Sequence, residues 1–151
     1  MAISILIADA NAASREELSK VLRRDRDIDV VGDARDSREA IEIARSLNPS
    51  IVVLDNSVID PNSTGVVEGI LYASPAAAVI VLMDSADHNL VRNLMRAGAR
   101  DCLVKPVAPD DLIGTVRSVH EALLKQRAPL SAANGQAGIQ SKVIAVYSPQ
   151  G

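Results

Sequence analysis

The sequence predicts an α/β fold in which five parallel strands form a doubly wound sheet, with helices on both of its faces. Short apolar runs alternate along the chain with longer segments of helical periodicity. This strand-and-helix unit recurs five times, which favours a parallel sheet with crossover helices. Several of the runs are continuously apolar, as expected where helices cover both faces of a sheet.

Five segments have the length and composition of strands. Each is short and rich in Ile, Val or Leu, and several run directly into a charged residue. The predicted strands are Ile3–Asp9, Ile28–Ala34, Ser50–Asp55, Ala77–Met83 and Asp101–Val104. The intervals between them are long enough for a helix in each connection.

Local signals mark the ends of the predicted helices. Asp36 stands three residues before Glu39, the spacing of a capping box at a helix start. Gly98 suits a helix end, and Pro109 suits the first turn of the last helix. That helix carries an apolar stripe of Leu112, Ile113, Val116, Val119, Leu123 and Leu124. Most of the stripe is expected to face the core, and its outer edge is a candidate dimer face.

The composition disfavours several classes of function. The chain has 151 residues, of which 48% are hydrophobic, and a net charge of -3, so no nucleic-acid-binding face is predicted. No apolar run approaches the roughly 20 residues of a membrane span, and the N-terminus lacks a signal-peptide pattern. The single cysteine, Cys102, excludes an intramolecular disulfide. We therefore expect a cytoplasmic globular protein.

Three charged residues stand at or directly after the ends of predicted strands: Asp9, Asp55 and Lys105. Carboxyl ends of parallel strands share one edge of the sheet, where ligands bind in such folds, so these side chains are expected to meet. An aspartate can attack a phosphoryl group if cations offset the charge of the phosphate oxygens. Two carboxylates suit Mg²⁺ and a lysine supplies a fixed cation, so the pattern favours phosphoryl transfer.

The order of these elements and three motifs resemble the receiver domain of two-component response regulators. The motifs are an aspartate after the first strand, "VVLD" in the third and "GARDCLVKP" at the fifth. The resemblance covers roughly residues 2–125 and implies a flavodoxin-like sheet with strand order 2-1-3-4-5. It also implies a histidine kinase or another phosphodonor as a partner.

The resemblance assigns roles to individual residues. Asp55 takes the phosphoacceptor position and Lys105 the phosphate-binding position. Asp9, Asp55 and the backbone carbonyl of Ser57 take the positions of Mg²⁺ ligands. Ala10, however, stands where the family carries a second carboxylate beside Asp9. Because Mg²⁺ affinity follows ligand charge, we expect weak or absent binding.

Other positions that serve phosphate binding and signalling in the family also differ in this sequence. Met83 stands where a threonine or serine hydroxyl bonds the phosphoryl oxygens, and a thioether cannot donate that bond. Asp84 and Ser85 follow, so a shift of one or two residues would restore a hydroxyl, whereas an acid there would repel phosphate. Cys102 stands where the family has a mobile Tyr or Phe, and is expected to be a small core residue. The loop "DNSVIDPNSTG" lacks the usual Met-Pro and is two residues longer, so we interpret the site as degenerate.

The end of the chain differs in character from the receiver-like part, residues 1–126. Residues 127–141 are small and polar, which predicts a flexible linker. Residues 142–151, "KVIAVYSPQG", predict the truncated first strand of another domain. They resemble the opening strand of MinD/ParA-type ATPases, an arrangement similar to TadZ/CpaE-like pilus assembly proteins. The chain ends before the glycine-rich phosphate loop, so it is not expected to be an enzyme.

Three functions are compatible with these patterns. The first is a signalling receiver that is phosphorylated on Asp55. The second is a phosphorylation-independent pseudo-receiver, which dimerises or localises its own C-terminal domain. The third is the front part of an ATPase. A flavin-binding protein of similar topology is disfavoured, because the loop after Asp9 lacks a run that could cradle a phosphate.

Overall fold

Five strands form one parallel sheet within residues 2–60 and 64–133, which the computed structural model describes, with side chains as far as residue 126. Their bounds are Ile3–Ala8 (β1), Ile28–Ala34 (β2), Ile51–Asp55 (β3), Ala78–Met83 (β4) and Asp101–Val104 (β5). Neighbouring strands follow the order β2-β1-β3-β4-β5, so the predicted doubly wound sheet and its strand order are confirmed. Because all neighbouring strands are parallel, their carboxyl ends lie at one edge of the sheet.

Helices connect the strands and follow the last of them. They are Ala12–Leu22 (α1), Ser37–Leu47 (α2), Gly65–Ala73 (α3), His88–Ala97 (α4) and Pro109–Ala133 (α5). Asp36 accepts a hydrogen bond from the Glu39 N–H at 2.8 Å, as the capping signal predicts. Gly98 ends α4 with a φ of 121°, which an L side chain rarely adopts. The predicted start and end signals therefore operate at these positions.

The core lies on both faces of the sheet, because alternate side chains of each strand point to opposite sides. One face packs against α2, α3 and α4 in an apolar cluster that includes Ala8, Leu54, Val81, Met83, Ala44, Val67 and Leu94. On the other face, Leu82 lines a cavity together with Val21 of α1 and Leu112 of α5. Asp55 borders the same cavity. The position of the acidic strand end is thus fixed by buried residues on either side of the sheet.

Helix α5 continues to Ala133, although the sequence predicts a flexible linker from residue 127. The segment 127–133 contains four alanine or leucine residues but also Pro129, which is unfavourable inside a helix, so composition alone does not explain the extension. The rest of the predicted linker and the predicted strand at 142–151 lie outside the described residues. None of the described helices is long and apolar enough to span a membrane.

The edge strand β2 contains a bulge opposite β1. Ile5 pairs with Val30 and Leu6 pairs with Gly32, so Val31 has no partner residue in the register of β1. The side chain of Val31 is exposed. An extra residue of this kind bends a strand and increases its local twist.

Arg117 connects α5 to the segment between α1 and β2. Its guanidinium donates to Asp25 through Nε at 2.6 Å and through Nη2 at 2.7 Å, and Nη2 also donates to Asp27 at 2.9 Å. A bidentate pair of this kind has a defined geometry that a single lysine contact lacks. The hydrogen bonds from Arg117 lower the pKa of Asp25 below its usual value of 3.8. The interaction therefore depends on an ionised Asp25.

We predict that Arg117→Gln lowers the urea midpoint of unfolding at neutral pH. A carboxylate whose pKa is depressed in the folded state contributes stability above its unfolded pKa, and loses it as the pH falls through the folded value. The difference between the variant and the wild type should therefore shrink below the usual Asp25 pKa of 3.8. Urea unfolding at neutral and acidic pH measures this difference. Arg92→Gln, at an exposed arginine of α4, is the control. An equal loss at all pH values would contradict the assignment.

Candidate functional site

Asp55 ends β3 as a buried carboxylate with two donors. Its side chain is only 4% exposed, and Oδ1 accepts a hydrogen bond from Lys105 Nζ at 2.7 Å. Oδ2 accepts from the Ser57 N–H at 2.9 Å. Removing a charged carboxylate from water is costly unless it is paired and hydrogen-bonded, and both conditions hold here. The structure thus places Asp55 and Lys105, which lie far apart in the sequence, in direct contact.

Asp9 lies at the same edge, but hydrogen bonds from the protein occupy its carboxylate. Oδ1 accepts from the Asn11 N–H at 2.8 Å and from Ser57 Oγ at 3.3 Å, and Oδ2 accepts from Ser14 Oγ. Ser57 Oγ in turn accepts from the Ala10 N–H at 3.1 Å. The hydroxyl of Ser57 therefore joins the loop after β1 to the end of β3. Sequence reasoning assigned a role only to its carbonyl.

Asp84 is the third carboxylate at this edge, and it follows β4 directly. Its Oδ1 lies 2.8 Å from Lys105 Nζ, and its Oδ2 accepts from Asn56 Nδ2 at 3.2 Å. Met83 is buried in the apolar cluster, and Ser85 is exposed. An acid, and not a restored hydroxyl, therefore occupies the position beside Lys105. The sequence analysis assigns no role to Asn56. The signals that point to it are its amide side chain and its position directly after Asp55.

Electrostatic interactions keep the central lysine and Asp84 charged. Burial lowers the pKa of Lys105, but hydrogen bonds to Asp55 and Asp84 outweigh this effect and raise the pKa above its usual value. The hydrogen bond from Lys105, helped by that from Asn56, lowers the pKa of Asp84. At neutral pH the lysine is therefore a cation held between two carboxylates.

Cys102 lies on β5, at the position where the sequence resemblance implies an aromatic residue. It is half-buried and packs against the apolar cluster, so it is less enclosed than the expected small core residue, because β5 is an edge strand. Burial, followed by the charge of Asp101, raises the pKa of the thiol. A raised pKa lowers the thiolate fraction, which makes the sulfur a poor nucleophile.

The oxygen atoms that could bind Mg²⁺ at this edge also take part in hydrogen bonds within the protein. Ala10 supplies no side-chain oxygen, and hydrogen bonds already occupy the carboxylates of Asp9 and Asp55. In the part of the chain that the structure describes, no group of three or more His, Cys, Asp or Glu side chains could hold a metal ion. Mg²⁺ prefers oxygen ligands in octahedral geometry. In this structure, protein donors contact both carboxylates.

A cavity of about 550 Å³ opens beside Asp55, between α1 and α5. Its apolar lining includes Leu18, Leu82 and Leu112, and Lys105 also borders it. The Asp55 carboxylate is therefore buried against the protein but lies next to open space.

Comparison with known proteins identifies the class of this domain. The chain belongs to the family of response regulator receiver domains, whose profile matches residues 5–117. The chemotaxis protein CheY of Thermotoga maritima is 30% identical over 115 residues, which cover 76% of this chain and 95% of that protein. The REC domain of AraT, a response regulator from Geobacillus stearothermophilus, has a TM-score of 0.72 at 25% identity. Its match covers 84% of this chain and 99% of that chain.

Several of the similar proteins are much longer than this chain. Protein-glutamate methylesterase/protein-glutamine glutaminase 1 of Caulobacter vibrioides is 34% identical over 124 residues, which cover 82% of this chain but 35% of that protein. The chain spans about a third to a half of the length of several curated relatives. The activities in their names belong to those whole proteins.

We predict that Ala10→Asp tightens Mg²⁺ binding by about tenfold or more, because a second carboxylate beside Asp9 adds ligand charge. Isothermal titration with MgCl₂ measures the change. Ala10→Asn is the matched control, since it has nearly the same shape without the charge. Equal Mg²⁺ affinity in the wild type and the aspartate variant would show that Ala10 does not limit metal binding.

Proposed function

We propose that the chain is a signal-transduction receiver module in which Asp55 accepts a phosphoryl group within an altered site. The donor would be a histidine kinase or a small phosphodonor. The observation that carries the proposal is the 2.7 Å contact between the buried Asp55 carboxylate and the Lys105 ammonium, beside an open cavity. Membership of the receiver family supports the same role.

The proposed chemistry is a transfer of one phosphoryl group to Asp55. A carboxylate oxygen of Asp55 attacks phosphorus, and a new P–O bond forms as the bond between phosphorus and the donor's leaving group breaks. The leaving group departs with the electron pair; acetyl phosphate would release acetate. Lys105 is placed to offset negative charge on the phosphoryl oxygens. The Ser57 N–H, which donates to Asp55 Oδ2 at 2.9 Å, orients the carboxylate.

We predict that the protein gains the mass of one phosphoryl group in acetyl phosphate and MgCl₂, and that Asp55→Asn abolishes the gain. Intact-protein mass spectrometry over time measures the modification. Asp60→Asn, at an exposed aspartate after β3, is the matched control and should react like the wild type. A wild type that shows neither a mass gain nor binding of beryllofluoride would rule the proposal out.

A second candidate function is a pseudo-receiver that associates without phosphorylation. Two observations favour it: Ala10 removes a metal ligand, and Asp84 already pairs with Lys105 at 2.8 Å. Its contact surface would be the outer part of α5, where Leu124 is 39% exposed. The resemblance of residues 142–151 to an ATPase strand supports a role in dimerising or localising a C-terminal domain, as in pilus assembly.

For this second candidate we predict that Leu124→Glu converts a dimer into a monomer, because a charge replaces apolar area at the association surface. Sedimentation equilibrium of the full chain measures the change. Met95→Glu, at an α4 residue that is 45% exposed, is the control and should remain dimeric. A wild type that is monomeric at all concentrations, with no partner, would exclude this function.

A further inference from the structure

The Lys105 ammonium is shared between two carboxylates from different strand ends. Nζ lies 2.7 Å from Asp55 Oδ1 and 2.8 Å from Asp84 Oδ1. The two acids differ in their surroundings, since the side chain of Asp55 is 4% exposed and that of Asp84 is 71% exposed. Asp84 is thus an accessible anion that reaches the same cation as the buried acceptor.

A phosphoryl group on Asp55 would have to share this cation. It would carry roughly 1.5 to 2 negative charges at neutral pH, with oxygens that need donors. Both carboxylate oxygens lie within 2.8 Å of the same nitrogen, so a group attached to Asp55 would approach Asp84 closely. Like charges at such distances repel each other, and more strongly beside a low-dielectric interior than in water.

The contacts of Asp84 anchor it at this position. Its Oδ2 accepts from Asn56 Nδ2 at 3.2 Å, while Lys105 holds its Oδ1. Asn56 follows Asp55 directly, so a side chain next to the acceptor holds the competing acid. Asn56 Oδ1 is buried with no hydrogen-bond partner among the described residues. These contacts connect Asp84 to Lys105 and Asn56, and neither residue belongs to the apolar cluster.

The geometry points to Asp84 as an internal competitor that pairs with Lys105 and so limits the reaction of Asp55 with phosphodonors. This inference rests on the proposed acceptor role of Asp55. Asp84 touches the lysine and not the reacting bond, so it is a positioning residue. It would determine how readily the domain takes up a phosphoryl group, whichever donor supplies it.

The test compares Asp84→Asn with the wild type in acetyl phosphate and MgCl₂. Removal of the charge should raise the initial rate of mass gain by about tenfold or more, because both the repulsion and the competition for Lys105 are lost. Asp84→Glu, which keeps the charge, should stay near the wild-type rate. Glu16→Gln removes the same charge from an exposed residue of α1 that does not line the cavity, and should change the rate less than twofold.

A second measurement detects binding of an anion at the site without transfer of a phosphoryl group. Asp84→Asn should bind beryllofluoride at a concentration about tenfold lower than the wild type, and Asp84→Glu should not. Urea unfolding of each variant checks that the fold is retained. Equal beryllofluoride affinity and equal rates in Asp84→Asn and the wild type would overturn the inference and leave the acceptor role intact. No mass gain in any variant, with tighter beryllofluoride binding by Asp84→Asn, would reject phosphorylation but support the competition.

Discussion

The arrangement of the strand ends depends on the contacts of the Lys105 ammonium with two carboxylates. Asp55 is almost completely buried, and Lys105 supplies a counter-charge for its carboxylate at 2.7 Å. Breaking such a pair by removing one partner is usually far more costly than replacing both, because the remaining charge stays buried. By also holding Asp84, the lysine connects the ends of β3, β4 and β5. These two contacts thus organise the site and restrict the movement of the Lys105 side chain.

The surroundings of Asp9 show how backbone and hydroxyl donors satisfy a buried acidic side chain. Donors from Asn11, Ser14 and Ser57 satisfy an acid that is 1% exposed. Arg15 adds a further link, since its Nη1 donates to the Asp9 carbonyl at 2.8 Å. These hydrogen bonds fix the loop between β1 and α1.

The sequence predicted the sheet more completely than the site. Apolar runs such as Ile51–Leu54 determine which segments are strands, and parallel connections bring their ends together. The contact between Asp84 and Lys105 could not be predicted, because the count from Lys105 placed Met83 at that position and side-chain direction depends on local geometry. The sequence predicts a linker from residue 127, whereas α5 continues to Ala133. Family resemblance supplied the strand order, which periodicity alone leaves open.

The bulge at Val31 affects how the domain behaves towards other copies of itself. A sheet edge with free N–H and C=O groups can pair with another chain and start aggregation. Exposed Asp29 and Asp33 flank the bulge on β2, so an approaching strand would meet charge and an interrupted register. At the opposite edge, β5 is only four residues long and offers few groups for pairing. Both edges of the sheet thus discourage the addition of strands from other chains, which leaves association to surfaces made of side chains.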